Sequence, residues 1–113
     1  MDSFKDLTGD LNPLHTEAAF ALSYGYKDRV VHGMLTSSFY STLIGMYLPG
    51  KYALFQGIDV SFVSLVFPGD TLTVFGEIIT VHNVFKQIEI RAYITNQLGV
   101  KVSRTKIKTG IHE

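Results

Sequence analysis

The chain of 113 residues contains no cysteine. That excludes disulfides, thiolate metal sites and cysteine nucleophiles, and it fits a reducing compartment. Charge of one sign is also missing: ten basic residues cancel ten acidic ones, so no global field draws nucleic acid or an anionic membrane. Near-neutrality equally removes any charge barrier to self-association. Long hydrophobic runs are absent. The longest apolar stretch, Met34 to Leu48, is broken by Thr36, Ser37, Ser38, Ser41 and Thr42, and it falls short of the ~20 residues of a membrane span. The first residues, Met1-Asp2-Ser3-Phe4-Lys5-Asp6, are acidic where a secretory leader is basic and then apolar. A soluble, cytoplasmic protein is expected. No Gly-x-Ser-x-Gly elbow and no glycine-rich phosphate or dinucleotide loop occurs, so no nucleotide cofactor is expected. Asp10-x-Asn12 begins like a calcium loop, but the later ligands and glycine are lacking, and no metal is expected.

What is present is one globular domain, residues 1–113, at 46% hydrophobic. Its front half reads helical. Ser3 to Leu7 suits a short turn capped by Asp2 or Ser3, and Thr16 is placed to cap a short helix from Glu17 that stops near Gly25. The main helix is expected from Gly33 to Leu48, stopped by Pro49-Gly50. It carries apolar residues on more than one face and no charge between Arg29 and Lys51, which predicts a helix enclosed by other structure. The back half alternates. Ile58, Val60 and Phe62 point one way, and the turn Phe67-Pro68-Gly69-Asp70 leads to Leu72, Val74, Gly76 and Ile78. Ile88, Ile90, Ala92 and Ile94 alternate with Glu89, Arg91, Tyr93 and Thr95, and Asn96-Gln97-Leu98-Gly99 turns into a last strand from Val100 to Thr109. Four consecutive strands joined by short turns predict an antiparallel sheet wrapped around one central helix, an α+β architecture.

Two segments carry chemistry. Gly9-Asp10-Leu11-Asn12-Pro13-Leu14-His15 holds a carboxylate and an imidazole on one proline-stiffened loop, where they can share a water molecule and exchange its protons. Val31-His32-Gly33-Met34-Leu35 enters the main helix through a glycine, whose N–H lies at a helix N-terminus. Each residue also has a plainer reading. Asp10 can close an Asx turn, Gly33 can ease entry into the helix, and Ser41 can bond back to the carbonyl four residues earlier. His32 reads as a loop or capping residue, and His82 and His112 as solvated.

The pattern Phe4-x-x-Leu7-Thr8-Gly9-Asp10-x-Asn12-Pro13-Leu14-His15, with Ala21 following, resembles the hydratase 2 motif of MaoC-like (R)-specific enoyl-CoA hydratases. Val31-His32-Gly33-Met34 and Pro68-Gly69-Asp70 match the family's helix start and a sheet turn. The resemblance implies a hotdog fold, in which a curved antiparallel sheet wraps a long helix, here without the strand that usually precedes the Phe4 segment. It implies Asp10 and His15 as the pair activating water, Gly33 as the oxyanion donor, Ser41 as a supporting residue, Asn12 as an orienting residue and His32 as supporting at most. The implied reaction is syn hydration of a 2-enoyl thioester to the (R)-3-hydroxyacyl thioester, or its reverse. Coenzyme A or an acyl carrier protein would enter only as part of the substrate, and the chain would act as a homodimer. A hotdog thioesterase and a non-catalytic acyl-binding module are the alternatives. Tyr40, Met46, Tyr47, Leu54 and Phe55 are candidates for closing an acyl tunnel. Lys5, Lys27 and Arg29 are candidates for meeting the carrier.

Overall fold

The main helix runs from Gly33 to Met46 and lies across one four-stranded antiparallel sheet. A computed structural model describes residues 1–112. Three short helices precede the main one, so the helices are α1 (Asp2–Thr8), α2 (Pro13–Thr16), α3 (Ala18–Ser23) and α4 (Gly33–Met46). The strands are β1 (Ala53–Phe62), β2 (Thr73–His82), β3 (Gln87–Thr95) and β4 (Lys101–Ile111).

The sheet order is β1-β4-β3-β2. This corrects the expectation of four strands joined simply by short turns. Only β2–β3 and β3–β4 are hairpin neighbours, while β1 pairs with β4 and segment 63–72 carries the chain from one edge of the sheet to the other. The turn at the end of that segment is as read. Asp70 N–H donates to the Phe67 carbonyl at 3.1 Å, and Gly69 takes φ +93° at the position where a type II turn needs glycine.

Alternation sets the faces. Ile88, Ile90, Ala92 and Ile94 of β3 are buried beneath Tyr40 and Ile44 of α4, together with Val102 and Ile107 of β4. Full burial of one such isoleucine contributes roughly 1.5–3 kcal/mol. Gly76 lets the helix approach β2: a Cβ there would lie 2.7 Å from a Leu43 methyl. One polar bolt crosses the core, a 2.6 Å hydrogen bond between the Tyr40 hydroxyl and Ser103 Oγ. Burial pushes the Tyr40 phenol pKa up, against the pull of that bond.

Two boundary readings change. Helix α4 ends at Met46, with Tyr47 as its cap. Thr16 closes α2 instead of capping α3, whose N-cap is Glu17 with no side-chain cap bond. His82, read as solvated, ends β2 half-exposed and within 4.0 Å of Glu89. A larger correction concerns coverage. The main helix is not enclosed within the single chain, because the sheet covers only the side that carries Tyr40 and Ile44. Met34, Phe39 and Met46 stand exposed.

Candidate active site

The loop between α1 and α2 is built from its own side chains. Gly9, at φ +74°, ends α1 with its N–H on the Lys5 carbonyl at 2.8 Å. Asp10 Oδ1 then accepts the Asn12 N–H at 3.2 Å, and Asn12 Oδ1 accepts the Leu14 N–H at 3.0 Å as the cap of α2. Pro13 occupies the first helical turn, where its missing N–H costs nothing. Asn12, expected as an orienting residue, is the side-chain cap of α2. The Asx-turn reading of Asp10 holds: the turn engages Oδ1 and leaves Oδ2 outside it.

His15 is fixed from the other side. Its Nδ1 lies 2.6 Å from the Val30 carbonyl, an atom that can only accept, so the proton sits on Nδ1 and Nε2 presents a lone pair. The His15 ring stacks on His32 at 4.1 Å between centroids, with 26° between planes. Immediately after His32, Gly33 begins α4, where the first N–H groups have no acceptor within the helix and the dipole places a partial positive charge. A Cβ on Gly33 would meet the Phe62 ring at 2.9 Å, so glycine brings strand and helix start together.

Asp10, His15, His32 and Gly33 all line one cavity of about 350 Å³. Its remaining walls are mainly apolar and include Leu14, Val30, Met34, Phe62, Leu65 and Val66. None of the five tunnel candidates read from the sequence is among them. Tyr40 is locked in the core, and Met46, Tyr47, Leu54 and Phe55 are exposed. The walls of this cavity come from the end of β1 and the segment after it and from the segments around α2 and before α4, whose mixed composition carries no local signal of a pocket. Ser41 is likewise not brought to the site. It stands exposed on α4, about 12 Å along the helix axis from Gly33 at 1.5 Å per residue. Of the front cations, Arg29 reaches Asp2 at 3.4 Å, and Lys27 lies 4.6 Å over the Phe67 ring. Among the described residues, no group of three or more His, Asp or Glu side chains converges as a metal ion requires.

A sequence model of the MaoC like domain matches residues 1–99. The chain belongs to the MaoC-like domain family. Within it, this MaoC-like chain is 44% identical over 71 residues to an (R)-specific enoyl-CoA hydratase of Aeromonas caviae, covering 63% of the chain and 53% of that protein. It is 37% identical over 70 residues to an (R)-specific enoyl-CoA hydratase of Rhodospirillum rubrum, covering 62% of the chain and 49% of the relative. The chain thus spans about half the length of the curated relatives it matches. The solved structure of an (R)-hydratase from A. caviae superposes with a TM-score of 0.92 at 32% identity, covering 97% of this chain and 83% of that one. The fold is therefore the hotdog fold, as the motif implied.

Proposed function

We propose that the chain hydrates 2-enoyl thioesters, and in reverse dehydrates 3-hydroxyacyl thioesters. The observation that carries this reading is the division of labour at two side chains. Asp10 spends Oδ1 on its own turn and His15 spends Nδ1 on the Val30 carbonyl, and both residues line the cavity that Gly33 opens onto. Two acceptors, Asp10 Oδ2 and His15 Nε2, are then left for a single water.

The chemistry follows from that placement. Water held between the two acceptors loses a proton to one of them as its oxygen bonds to the β-carbon. The electron pair of the double bond moves toward the thioester carbonyl, whose oxygen gains negative charge. The Gly33 N–H, at the positive end of α4, stabilises that oxygen. The proton taken from water then passes to the α-carbon from the same face, which gives syn addition and leaves both groups as they began. The (R) product is proposed from the names of the relatives. A carrier of coenzyme A or acyl carrier protein and a homodimeric assembly belong to the same proposal. Exposed Met34, Phe39 and Met46 on α4 support the dimer, since they form apolar surface that one chain does not cover.

The test is loss of the conjugated-enoyl absorbance of crotonyl-CoA, in wild type and in folded Asp10→Asn. Rapid loss by the wild type and none by the variant supports the reading. Release of free thiol instead of loss of conjugation would turn it into a thioesterase.

A further inference from the structure

Beyond the pair that handles water, His32 carries an unexplained cost. Its side chain is 2% exposed, yet Nδ1 is buried without a hydrogen-bond partner among the described residues. A buried polar atom left unpaired destabilises the fold, and native proteins keep few of them. An apolar ring of the same shape would remove the cost, so packing alone does not account for the histidine.

The other contacts of the ring point to its use. Nε2 lies 3.3 Å from the Asp10 carbonyl oxygen and 3.8 Å from Oδ2 of the same residue. A carbonyl oxygen only accepts, so the proton sits on Nε2 and the lone pair on Nδ1. One face of the ring stacks on His15 at 4.1 Å, and Phe4 packs against it at 4.8 Å with a 50° tilt. His32 is also the N-cap residue of α4, directly before Gly33. A single rigid ring therefore touches the main chain of Asp10, the imidazole of His15 and the start of the helix that supplies the oxyanion donor. A short loop hydrogen bond fixes Asp10 to its own turn, while His15 is anchored to the Val30 carbonyl. Among the described residues, the side chain of His32 ties Asp10 to the first residue before the helix, across a sequence separation of 22 residues.

We propose that His32 is a positioning residue: it holds Asp10 and His15 in register with Gly33 by donating from Nε2 to the Asp10 carbonyl and stacking on His15. This rests on the hydratase reading. It assigns His32 no proton transfer of its own. The unpaired Nδ1 follows from the ring chemistry, because a histidine that donates from Nε2 in a closed apolar setting must bury its second nitrogen.

Two variants separate the parts. His32→Phe keeps a stacking ring, loses the donor and removes the unpaired nitrogen. His32→Gln keeps an amide donor near the position of Nε2 and loses the ring. The expected result is a His32→Phe protein with Tm equal to or above wild type, kcat on crotonyl-CoA down at least tenfold, and KM within twofold. His32→Gln should retain kcat within about threefold of wild type. Wild-type kcat in His32→Phe, or equal losses in both variants, would overturn the proposal. A readout without substrate separates this from failure of the hydratase reading. The amide ¹⁵N and ¹H shifts of Leu11, whose peptide carbonyl belongs to Asp10, should move in His32→Phe and stay near wild type in His32→Gln. No movement in His32→Phe overturns the proposal even if the folded wild type proves inactive on crotonyl-CoA.

Discussion

Under the proposed function, Asp10 serves structure and chemistry with different atoms. Its Oδ1 closes the turn to Asn12, and replacing it with Asn preserves that acceptor while removing the charge from the cavity. Asp10→Asn should therefore fold normally and lose activity by about 10²–10⁴-fold, the range of a positioned acid or base, read as kcat on crotonyl-CoA against an unchanged melting curve. Gly33 gives a second residue-scale expectation. In Gly33→Ala the new methyl meets the Phe62 ring, which is half exposed and able to swing aside. Stability should change by no more than about 1 kcal/mol, as for substitutions outside the core. Activity should fall at least tenfold, because the displaced ring and helix start crowd the carbonyl's place. Phe62→Leu in the same protein should restore part of the loss, and a double-mutant cycle on kcat/KM measures it.

At the scale of elements, the same alternating pattern has different energetic weight in different strands. Ile90 of β3 is fully buried under α4, whereas Ile58 of β1 is 42% exposed in the single chain. Ile90→Ala should cost about 2–5 kcal/mol in urea denaturation, with midpoint and slope both recorded. The turn before β2 gives a pH prediction. The Phe67 N–H, then the Gln97 amide, hold the Asp70 carboxyl below its usual range, with Lys27 adding to the same direction. Its folded pKa is lower than the unfolded one, so the bonds contribute fully above about pH 4 and are lost as pH falls through the folded value. Wild type should therefore exceed Asp70→Asn in stability at pH 6, and the gap should close below pH 4, as followed by thermal melts across that range.

For the molecule as a whole, the decisive quantity is uncovered apolar surface. The structure is only 18 Å deep along its shortest axis, room for one sheet and one helix layer and no third. Apolar residues stand exposed on α4 and along β1, which is an edge strand, including Leu54, Phe55 and Phe62. If a second copy covers them, as proposed, the mass in sedimentation velocity should be about twice the 12.6 kDa of one chain. Met46→Lys together with Phe55→Lys should shift it toward the single-chain value, since each buried lysine charge opposes the association.

Much of this was legible in the sequence because it is local. Turns write themselves into Gly, Pro and Asn: the Asn12 cap, the Pro68-Gly69 turn and the Asn96–Gly99 turn follow from short-range hydrogen bonding and from backbone angles that glycine adopts freely. The faces of β3 and the start of α4 follow from periodicity, and the presence of Asp10 and His15 in one cavity follows from their closeness in sequence. Only the tertiary structure decided the rest. That β1 pairs with β4, that His32 stacks on His15, that Phe62 sits over Gly33 and that Ser41 lies away from the cavity all depend on how distant segments meet. Local propensity does not encode such meetings, because their energy comes from surfaces that exist only after the chain has closed.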